Sequence, residues 1–494
     1  MKDALGALVL GAAAALLCQP PVGWWWLMVP LFAAIWWLWH RSARPFLTGW
    51  LAGVGYFAGA VHWVAEAFLV DAATFGWMIP FAIGGLAAGL ALFWGLAFRL
   101  AKALPLHAAA SLPLAWTGAE WLRGNALTGF PWALPGTAYA ESPLLPSAAV
   151  WGAYGLSALT LIGAGLLGWA VARRSGAAGA LALLPLAALL AGALWPTGPQ
   201  GEAPGLRVGI VQPNVPQREK WRADLARPQL DALLEATASL TARGADVVVW
   251  PEAAIPYRMG AAPGVRALAG EALGAEAVLL AGALRIEGGR AYNALMAIGP
   301  DGARLGDYDK RHLVPFGEYL PFDETLTGWG LRAMVTLPGG MRAGDEAGRV
   351  TSVPGLPPFA AMICYEAIFP AEVMSTRDPR PAWMVQVTND AWFGSSAGPW
   401  QHLAQARMRA AERGLPLVRA ANTGVSALIG PRGEMIEALG LEEAGTLLVT
   451  LPGALPATPY ARVEDGVLIL LVLLTSAAAW VAYRRRDLNR YASR

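Results

Sequence analysis

The sequence predicts an α/β domain inserted into a polytopic α-helical membrane bundle of about eight spans. The first observation is charge, because residues 1–200 hold only 13 of the 72 Asp, Glu, Lys and Arg residues. The second is composition: 56% of the chain is hydrophobic and 15% is charged, with a mean hydropathy of +0.43, whereas globular chains are about 25% charged. The third is an alternation of short β-rich runs with helical runs over residues 206–450.

The apolar stretches define the membrane part of the prediction. A spanning helix needs about 20 mostly apolar residues. Eight stretches approach that length, at about 3–18, 22–39, 46–69, 76–100, 105–121, 147–171, 178–195 and 465–483. Residues 1–195 are therefore predicted to form a bundle of about seven helices, with a C-terminal span at 465–483 and a tail at 484–494. The stretch Leu16-Leu17-Cys18-Gln19-Pro20 at the end of residues 1–20 lacks the small residues of a cleavage site, which favours an uncleaved first span over a signal peptide.

Basic residues in alternate loops predict the orientation of the chain. They are Arg41, Arg44, Arg99, Lys102, Arg173, Arg174 and the run 484–486. Because basic loops stay on the cytoplasmic side, we expect both termini in the cytoplasm. Residues 196–464 then lie in the periplasm of a bacterial inner membrane. The net charge of +2 gives no indication of a nucleic-acid partner.

Ionisable residues inside the predicted spans are functional candidates by default, because burying them in lipid is costly. His62 and Glu66 lie four residues apart, and Glu120 and Arg123 lie three apart and could pair. An internal polar bridge that holds the bundle together is the preferred interpretation. A transporter would need a polar stripe across several spans, and the sequence shows none.

The α/β domain carries three polar residues whose chemistry is complementary. Glu252 ends the predicted strand 246–250, Cys364 ends the predicted strand 359–364, and Lys310 lies between them in a polar segment. A thiol with an ordinary pKa of about 8.5 needs a base, and Glu252 can take its proton. Lys310 can stabilise a thiolate and an oxyanion, with the backbone N–H of Tyr365 as a second oxyanion donor. Each residue also has an ordinary structural interpretation, so the spacing alone leaves their convergence open.

A second catalytic set uses the same cysteine. Cys364 with His312 or His402 and Asn389 would form a Cys–His–Asn site, and the residues alone do not exclude it. The sequence has no Gly-x-Ser-x-Gly, Walker or dinucleotide-binding motif. Its five histidines are too dispersed for a metal site. We therefore expect neither a metal nor a cofactor.

Three sequence blocks resemble the signature blocks of the nitrilase, or carbon–nitrogen hydrolase, superfamily, in that family's order. They are Val249-Trp250-Pro251-Glu252, the block Lys310-Arg311-His312-Leu313-Val314-Pro315-Phe316-Gly317-Glu318, and Ile363-Cys364-Tyr365-Glu366. Further blocks at 120–132 and 388–402, with the flanking spans, resemble the membrane-bound N-acyltransferase branch of that superfamily. The resemblance covers essentially the whole chain. It implies a nitrilase-like αββα sandwich for residues 206–450.

The resemblance also implies roles for individual residues. Glu252 corresponds to the base, Lys310 to the electrostatic stabiliser and Cys364 to the nucleophile of a Glu–Lys–Cys triad. Glu318 matches a second glutamate that holds the lysine or assists proton transfer. The supporting positions implied are Tyr365 and Glu366. The substrate-contacting positions implied are Trp221, Asn293, Trp329, Trp392 and Arg419.

The reaction implied by the resemblance is a ping-pong acyl transfer. Cys364 attacks the sn-1 ester of a phospholipid, typically phosphatidylethanolamine, and the thioester then acylates the α-amino group of the diacylglyceryl-cysteine of an apolipoprotein. The implied partners are the phospholipid, the apolipoprotein and the bilayer, and a monomer is expected. The apolar stretch 322–337, with Trp329, is predicted to be a lid that dips into the outer leaflet. A membrane-anchored amidase or nitrilase with water as acceptor, and a scaffold without activity, are the alternative functions.

Overall fold

The computed structural model describes residues 2–254, 262–321, 340–345, 350–374 and 379–492. The chain divides into two compact units. The first, the helical unit, comprises Met1–Thr197, Ser396–Arg413 and Ala457–Arg494. The second, the sheet unit, comprises Gly198–Ser395 and Gly414–Pro456. The predicted lid at 322–337, including Trp329, lies outside the described residues.

The α-helices of the described residues are α1 (Lys2–Cys18), α2 (Met28–Arg41), α3 (Pro45–Ala60), α4 (Val64–Leu69), α5 (Ala72–Phe75), α6 (Ile79–Ala103), α7 (Ala108–Asn125), α8 (Ala148–Arg173), α9 (Gly176–Leu181), α10 (Leu183–Ala193), α11 (Ala226–Ala242), α12 (Pro263–Leu273), α13 (Ala397–Arg413), α14 (Pro459–Val463) and α15 (Gly466–Ala492). Each of the eight predicted apolar stretches contains a helix. By length and composition, two described stretches are able to cross a membrane, Ala72–Ala103 and Leu145–Arg173. The bundle of about eight spans is therefore not confirmed, because helices such as α1, with 17 residues, are shorter than a full span.

Small residues let the first helices pack closely. A Cβ atom on Gly11 of α1 would lie 2.0 Å from the carbonyl oxygen of Ala52 in α3. A Cβ atom on Gly55 of α3 would lie 2.0 Å from the carbonyl oxygen of Leu8 in α1. The two helices thus cross with their backbones in contact, which only glycine permits at these two positions.

An ion pair is buried inside the helical unit. Arg123 Nη2 donates to Glu120 Oε2 at 2.7 Å, and both side chains are almost fully buried. Trp94 Nε1 donates to Glu120 Oε1 at 2.6 Å, and Arg123 Nη1 donates to the carbonyl of Trp132 at 3.1 Å. The predicted pairing of Glu120 with Arg123 is confirmed. Its donors and acceptors are used within the unit, as expected for a structural bridge.

The described strands are β1 (Arg207–Gln212), β2 (Val247–Trp250), β3 (Val278–Glu287), β4 (Arg290–Ile298), β5 (Arg304–Asp309), β6 (Val350–Thr351), β7 (Phe359–Ile363), β8 (Trp383–Thr388), β9 (Leu417–Ala421), β10 (Ala427–Ile429), β11 (Met435–Ala438) and β12 (Gly445–Thr450). They form two six-stranded sheets, in the orders β12-β1-β2-β3-β4-β5 and β11-β10-β9-β8-β7-β6. One apolar core lies between the sheets and contains Val249, Leu280, Ile363, Val385 and Val418. A second core packs α11 and α12 on the outer face of the first sheet.

Parallel pairing brings the functional segments to the same ends of the strands. β2 pairs parallel with β1 and β3, and β8 pairs parallel with β7 and β9. Glu252 follows β2, Cys364 follows β7 and Asn389 follows β8, each at a carboxyl end. Open α/β sheets bind ligands at these ends. Lys310 directly follows β5, where its N–H continues the ladder by donating to the carbonyl of Asn293 at 2.8 Å.

One predicted helix begins later than expected. The sequence from about Arg218 to Ala242 is amphipathic and predicts a helix over that range, but the chain becomes helical only at Ala226. Pro228 explains the start, because a proline has no N–H to donate and fits only in the first turn of a helix. Residues 213–225, named here the β1–α11 segment, are turns and irregular backbone.

Candidate active site

Cys364 sits on a sharp turn directly after β7. Its φ is +51°, a left-handed conformation that is costly for a residue with a Cβ atom. A short 3-10 turn, Cys364–Ile368, follows at once. The abrupt reversal places the cysteine side chain at the strand end instead of in the sheet, and the residue remains buried.

The carboxylate of Glu366 holds this turn. Its Oε2 accepts the N–H of Ile363 at 2.7 Å. Its Oε1 accepts the hydroxyl of Tyr308 at 2.9 Å and the backbone N–H groups of Arg311 and His312 at 2.8 and 3.3 Å. Burial raises the pKa of Glu366, while these hydrogen bonds act in the opposite direction. One buried side chain therefore connects the cysteine turn to the segment on both sides of Lys310.

Glu252 is held by donors from two other elements. Asn293 Nδ2 in β4 donates to Glu252 Oε1 at 2.6 Å. The backbone N–H of Asn389, after β8, donates to Glu252 Oε2 at 2.8 Å. The ammonium of Lys310 lies 3.7 Å from Glu252 Oε1. These two hydrogen bonds fix the direction of the Glu252 carboxylate, and the ammonium of Lys310 lies beside it.

Lys310 lies between two carboxylates. Its Nζ is 2.9 Å from Glu318 Oε1 and 3.7 Å from Glu252 Oε1, and the residue is 1% exposed. Burial lowers the pKa of Lys310, but Glu318, Glu252 and Cys364 raise it, and the net change is upward. The lysine therefore stays charged throughout the physiological range. Glu318 also accepts the N–H of Val314 at 2.7 Å, which fixes its own position.

The thiol of Cys364 is held in its protonated form. Burial raises its pKa, and the charge of Glu252 adds to the effect. Lys310 and a hydrogen bond with Thr388 lower the pKa without reversing the change. A thiol of this kind becomes a nucleophile only when a base takes its proton as substrate arrives. The charges of one carboxylate, Glu252, and one ammonium, Lys310, act on this thiol.

The structure brings most of the predicted residues together. Glu252, Lys310, Glu318 and Asn293 are joined by direct contacts, and Asn293 Nδ2 also donates to Glu318 Oε1 at 2.9 Å. Asn293 therefore bridges the two carboxylates. The sequence predicted a substrate contact for Asn293 and did not predict this bridge. Tyr365 is buried beside the cysteine.

The remaining predicted substrate contacts differ in exposure. Trp221 is 51% exposed and Trp392 is 37% exposed. Arg419 is fully buried, and its guanidinium donates to Asp390 Oδ2 at 2.5 Å, Gln386 Oε1 at 2.6 Å and the carbonyl of Val425 at 3.1 Å. Its side chain presents no surface to a ligand in this conformation. Trp329 lies outside the described residues.

The two histidines of the alternative set are engaged elsewhere. His312 Nδ1 lies 2.8 Å from Glu372 Oε1, and its ring stacks on Phe369 at 3.8 Å. His402 is part of α13, in the helical unit, where its ring packs near Trp132. The side chain of Asn389 contacts Gln217 and Asn422. These contacts favour the Glu–Lys–Cys set.

One residue of the site was missed by the sequence analysis. Lys220 is 2% exposed, and its Nζ donates to the backbone carbonyl of Glu252 at 2.9 Å. The rarity of lysine could have drawn attention to Lys220, because only four of the 37 Lys and Arg residues are lysines. Two of the four, Lys220 and Lys310, are buried beside the same glutamate.

Replacing Glu366 with glutamine should lower both stability and the reactivity of Cys364. The amide cannot accept at both ends, so at least one backbone N–H would be left buried without a partner. Such a loss costs about 1–3 kcal/mol. Thermal unfolding of the purified protein measures the stability. The rate of Cys364 alkylation by iodoacetamide measures the reactivity of the thiol. Glu434→Gln, at an exposed position, is the matched control. Equal behaviour of the two variants would contradict the role given to Glu366.

Comparison with known proteins gives matches over both parts of the chain. Residues 207–460 match the carbon-nitrogen hydrolase family, and residues 11–166 match the apolipoprotein N-acyltransferase N-terminal domain. The apolipoprotein N-acyltransferase of Rhodopseudomonas palustris is 40% identical over 96% of this chain and 94% of its own. That of Caulobacter vibrioides is 41% identical over 88% of this chain and 85% of its own. The match of residues 207–460 to the carbon-nitrogen hydrolase family confirms the nitrilase-like fold.

A similar solved structure is an amidase from Nesterenkonia sp. It is 19% identical, has a TM-score of 0.38, and matches 56% of this chain and 98% of that chain.

Proposed function

The chain belongs to the apolipoprotein N-acyltransferase family, and we propose that it transfers a fatty acyl chain from a phospholipid to the α-amino group of the diacylglyceryl-cysteine of apolipoproteins. The acyl chain is carried as a thioester on Cys364. The mechanism is supported by the contact of Lys310 with Glu252 at 3.7 Å and by the charges of both residues acting on the buried thiol of Cys364. This reaction is the last step of lipoprotein maturation.

The first half-reaction forms the thioester. Glu252 takes the proton of the Cys364 thiol, and the sulfur attacks the carbonyl carbon of the sn-1 ester. The negative charge that develops on the carbonyl oxygen is stabilised by Lys310 and by the backbone N–H of Tyr365. When this intermediate collapses, the C–O bond to glycerol breaks. The alkoxide of the lysophospholipid takes the proton back from Glu252.

The second half-reaction releases the chain to the amine. A neutral α-amino group attacks the thioester carbonyl, and Glu252 takes a proton from the attacking nitrogen. The same oxyanion donors act again, the C–S bond breaks, and Cys364 leaves as a thiolate that recovers a proton from Glu252. The products are an amide and the resting enzyme, so no cofactor is required.

Glu318 and Asn293 keep the reacting groups in place. Glu318 holds Lys310, with Nζ to Oε1 at 2.9 Å. Asn293 spans both carboxylates with one amide group. A base must stay within hydrogen-bond reach of its proton throughout the reaction. The bridge therefore limits the movement of Glu252 when its charge is lost.

A membrane location suits these substrates. Both carry long acyl chains, and moving a chain out of the bilayer costs about 0.8 kcal/mol per methylene group. The helices of the first unit and the basic loops support a multi-pass protein with both termini in the cytoplasm and residues 206–450 in the periplasm. The sn-1 position, phosphatidylethanolamine as donor and a monomeric state are parts of the same proposal.

The transfer itself is tested with two labelled donors. The purified full-length protein is placed in vesicles that contain phosphatidylethanolamine labelled in the sn-1 or the sn-2 chain, with a synthetic diacylated lipopeptide as acceptor. We expect label from the sn-1 donor in an amide on the peptide, with one lysophospholipid released per transfer. Release of all label as free fatty acid would instead identify water as the acceptor. No release of lysophospholipid would contradict the proposed transfer, and hydrolysis of small amides by the same sample would then favour a membrane-anchored amidase.

A further inference from the structure

Lys220 is a second buried ammonium at the site, and the mechanism above does not use it. It lies near the end of the β1–α11 segment, where the sequence reads Gln217-Arg218-Glu219-Lys220-Trp221. Its neighbours Arg218 and Trp221 are exposed, while Lys220 itself is 2% exposed. Among the described residues, its ammonium has one hydrogen-bond acceptor, the backbone carbonyl of Glu252 at 2.9 Å. Burying a charge with so few partners is costly, which makes a purely structural role expensive.

The segment that carries Lys220 is fixed by side chains from the second sheet. Asn422 accepts the N–H of Val215 at 3.0 Å and donates to the Val215 carbonyl at 2.7 Å. Asn389 Nδ2 donates to Gln217 Oε1 at 2.8 Å. The backbone N–H of the same Asn389 donates to the Glu252 carboxylate. Lys220 and Asn389 therefore hold Glu252 from its main chain and from its side chain.

The main chain at Glu252 needs such a contact. Ala253, the next residue, has a φ of +43°, which is strained for a residue with a Cβ atom. The residue before Glu252 is also tightly packed, since a Cβ atom on Gly282 would lie 2.2 Å from the carbonyl oxygen of Pro251. A hydrogen bond to the Glu252 carbonyl restrains this turn and, with it, the direction of the carboxylate.

The charges of the site also require a second cation. Glu252 and Glu318 are two buried carboxylates, and Lys310 supplies one positive charge between them. When the proton of Cys364 moves to Glu252, the thiolate replaces the carboxylate as the second negative charge. A protonated Lys220 makes the set neutral before and after that transfer. An unbalanced charge at a buried site would raise the energy of the thiolate form.

We propose that Lys220 is a positioning residue for acyl transfer, which orients Glu252 through its main chain and supplies the positive charge that balances the Cys364 thiolate. This inference rests on the proposed function, because it assigns Lys220 to the same thiol chemistry.

The protonation of Lys220 gives the proposal a pH dependence. Burial lowers the pKa of Lys220 to about 8, against the opposing effects of Glu252 and Cys364. Three further charged groups act on Glu252 and Cys364: Lys310 lies 3.7 Å from the Glu252 carboxylate, Glu318 pairs with Lys310, and the charge of Asp390 acts on Cys364. The charged form is present below about pH 8 and is lost as the pH rises through that value. The first half-reaction should therefore slow above pH 8.

The test follows the first half-reaction alone, so that titration of the acceptor amine does not contribute. Single-turnover release of lysophospholipid from phosphatidylethanolamine vesicles is measured between about pH 6 and 10, with the alkylation rate of Cys364 by iodoacetamide over the same range. For wild type we expect both rates to fall in a step as the pH rises through about 8. The Lys220→Met variant should not show this step, because it has no ammonium to lose. At pH 7 the Lys220→Met variant should be slower by about 10- to 100-fold. This is less than the roughly 100- to 1,000-fold loss of a direct oxyanion contact, because Lys220 acts through Glu252. Lys220→Arg should retain part of the rate and lose the step near pH 8, because its charge persists.

Controls separate this inference from the proposed function. Arg222→Met removes an exposed cation two residues away, which pairs with Asp224 at the surface, and it should behave as wild type. A wild-type rate and pH profile in Lys220→Met would overturn the inference. Equal losses in the Met and Arg variants, with the step near pH 8 retained, would also overturn it and identify a structural contact only. Transfer activity that persists in Cys364→Ala would contradict the proposed function itself.

Discussion

Replacement of Cys364 with alanine should abolish acyl transfer, with a loss of about four orders of magnitude or more, and leave the protein folded. Loss of a nucleophile removes the covalent path, and the remaining groups then have nothing to activate. The fold should survive because alanine fits the space of cysteine and adopts the φ of +51° no less readily. Intact-mass measurement after incubation with phosphatidylethanolamine vesicles should show one acyl adduct on the wild-type protein and none on the variant.

The chain offers a matched control for this prediction. Cys18 in α1 is the other cysteine, and it is also buried. Cys18→Ala should retain both the adduct and the transfer, which places any adduct on Cys364. Cys364→Ser should lose transfer almost as fully, because a hydroxyl is a weaker nucleophile and a much weaker acid than a thiol. An acyl adduct on Cys364→Ala, or transfer at a wild-type rate, would show that another residue carries the acyl group.

Strand ends were the most predictable part of this protein. The apolar runs before Glu252 and Cys364 gave β2 and β7 within a residue or two of the predicted limits. The apolar pattern does not predict β9, because Arg419 interrupts it. The burial of Arg419 depends on Gln386 in β8 and on Asp390, which follows β8. β5 was missed because an edge strand with the sequence Arg-Leu-Gly-Asp-Tyr-Asp lacks an apolar face.

The sequence predicted only those site residues that lie in a recognisable local motif. Glu252, Lys310 and Cys364 each lie in a recognisable sequence block, so the sequence alone was enough to propose a triad. Lys220 lies in a polar run that is typical of an exposed loop, and its burial comes from Asn389 and Asn422, which are distant in sequence. The bridge made by Asn293 likewise depends on strand register, which local patterns do not specify.

Lys310→Met should reduce both stability and acyl transfer, and a second substitution should separate the two effects. Removing the ammonium leaves Glu252 and Glu318 buried without the cation between them. Breaking a buried ion pair in this way costs about 3–5 kcal/mol. Transfer should fall by about a hundred- to a thousandfold or more, because the oxyanion and the thiolate lose a fixed positive charge. Thermal unfolding and single-turnover lysophospholipid release measure the two effects on the same samples.

The double variant Lys310→Met with Glu318→Gln removes one of the uncompensated charges. It should recover a large part of the lost stability, because only Glu252 then remains as a buried carboxylate at this position. Glutamine can still accept the N–H of Val314. Its NH2 group then replaces the oxygen that accepts from Asn293 Nδ2, so that hydrogen bond is lost and the recovery is incomplete. Transfer should stay low, since the cation is still missing from the reaction. If transfer returned together with stability, Lys310 would serve only to neutralise Glu318, and oxyanion stabilisation would have to come from other groups.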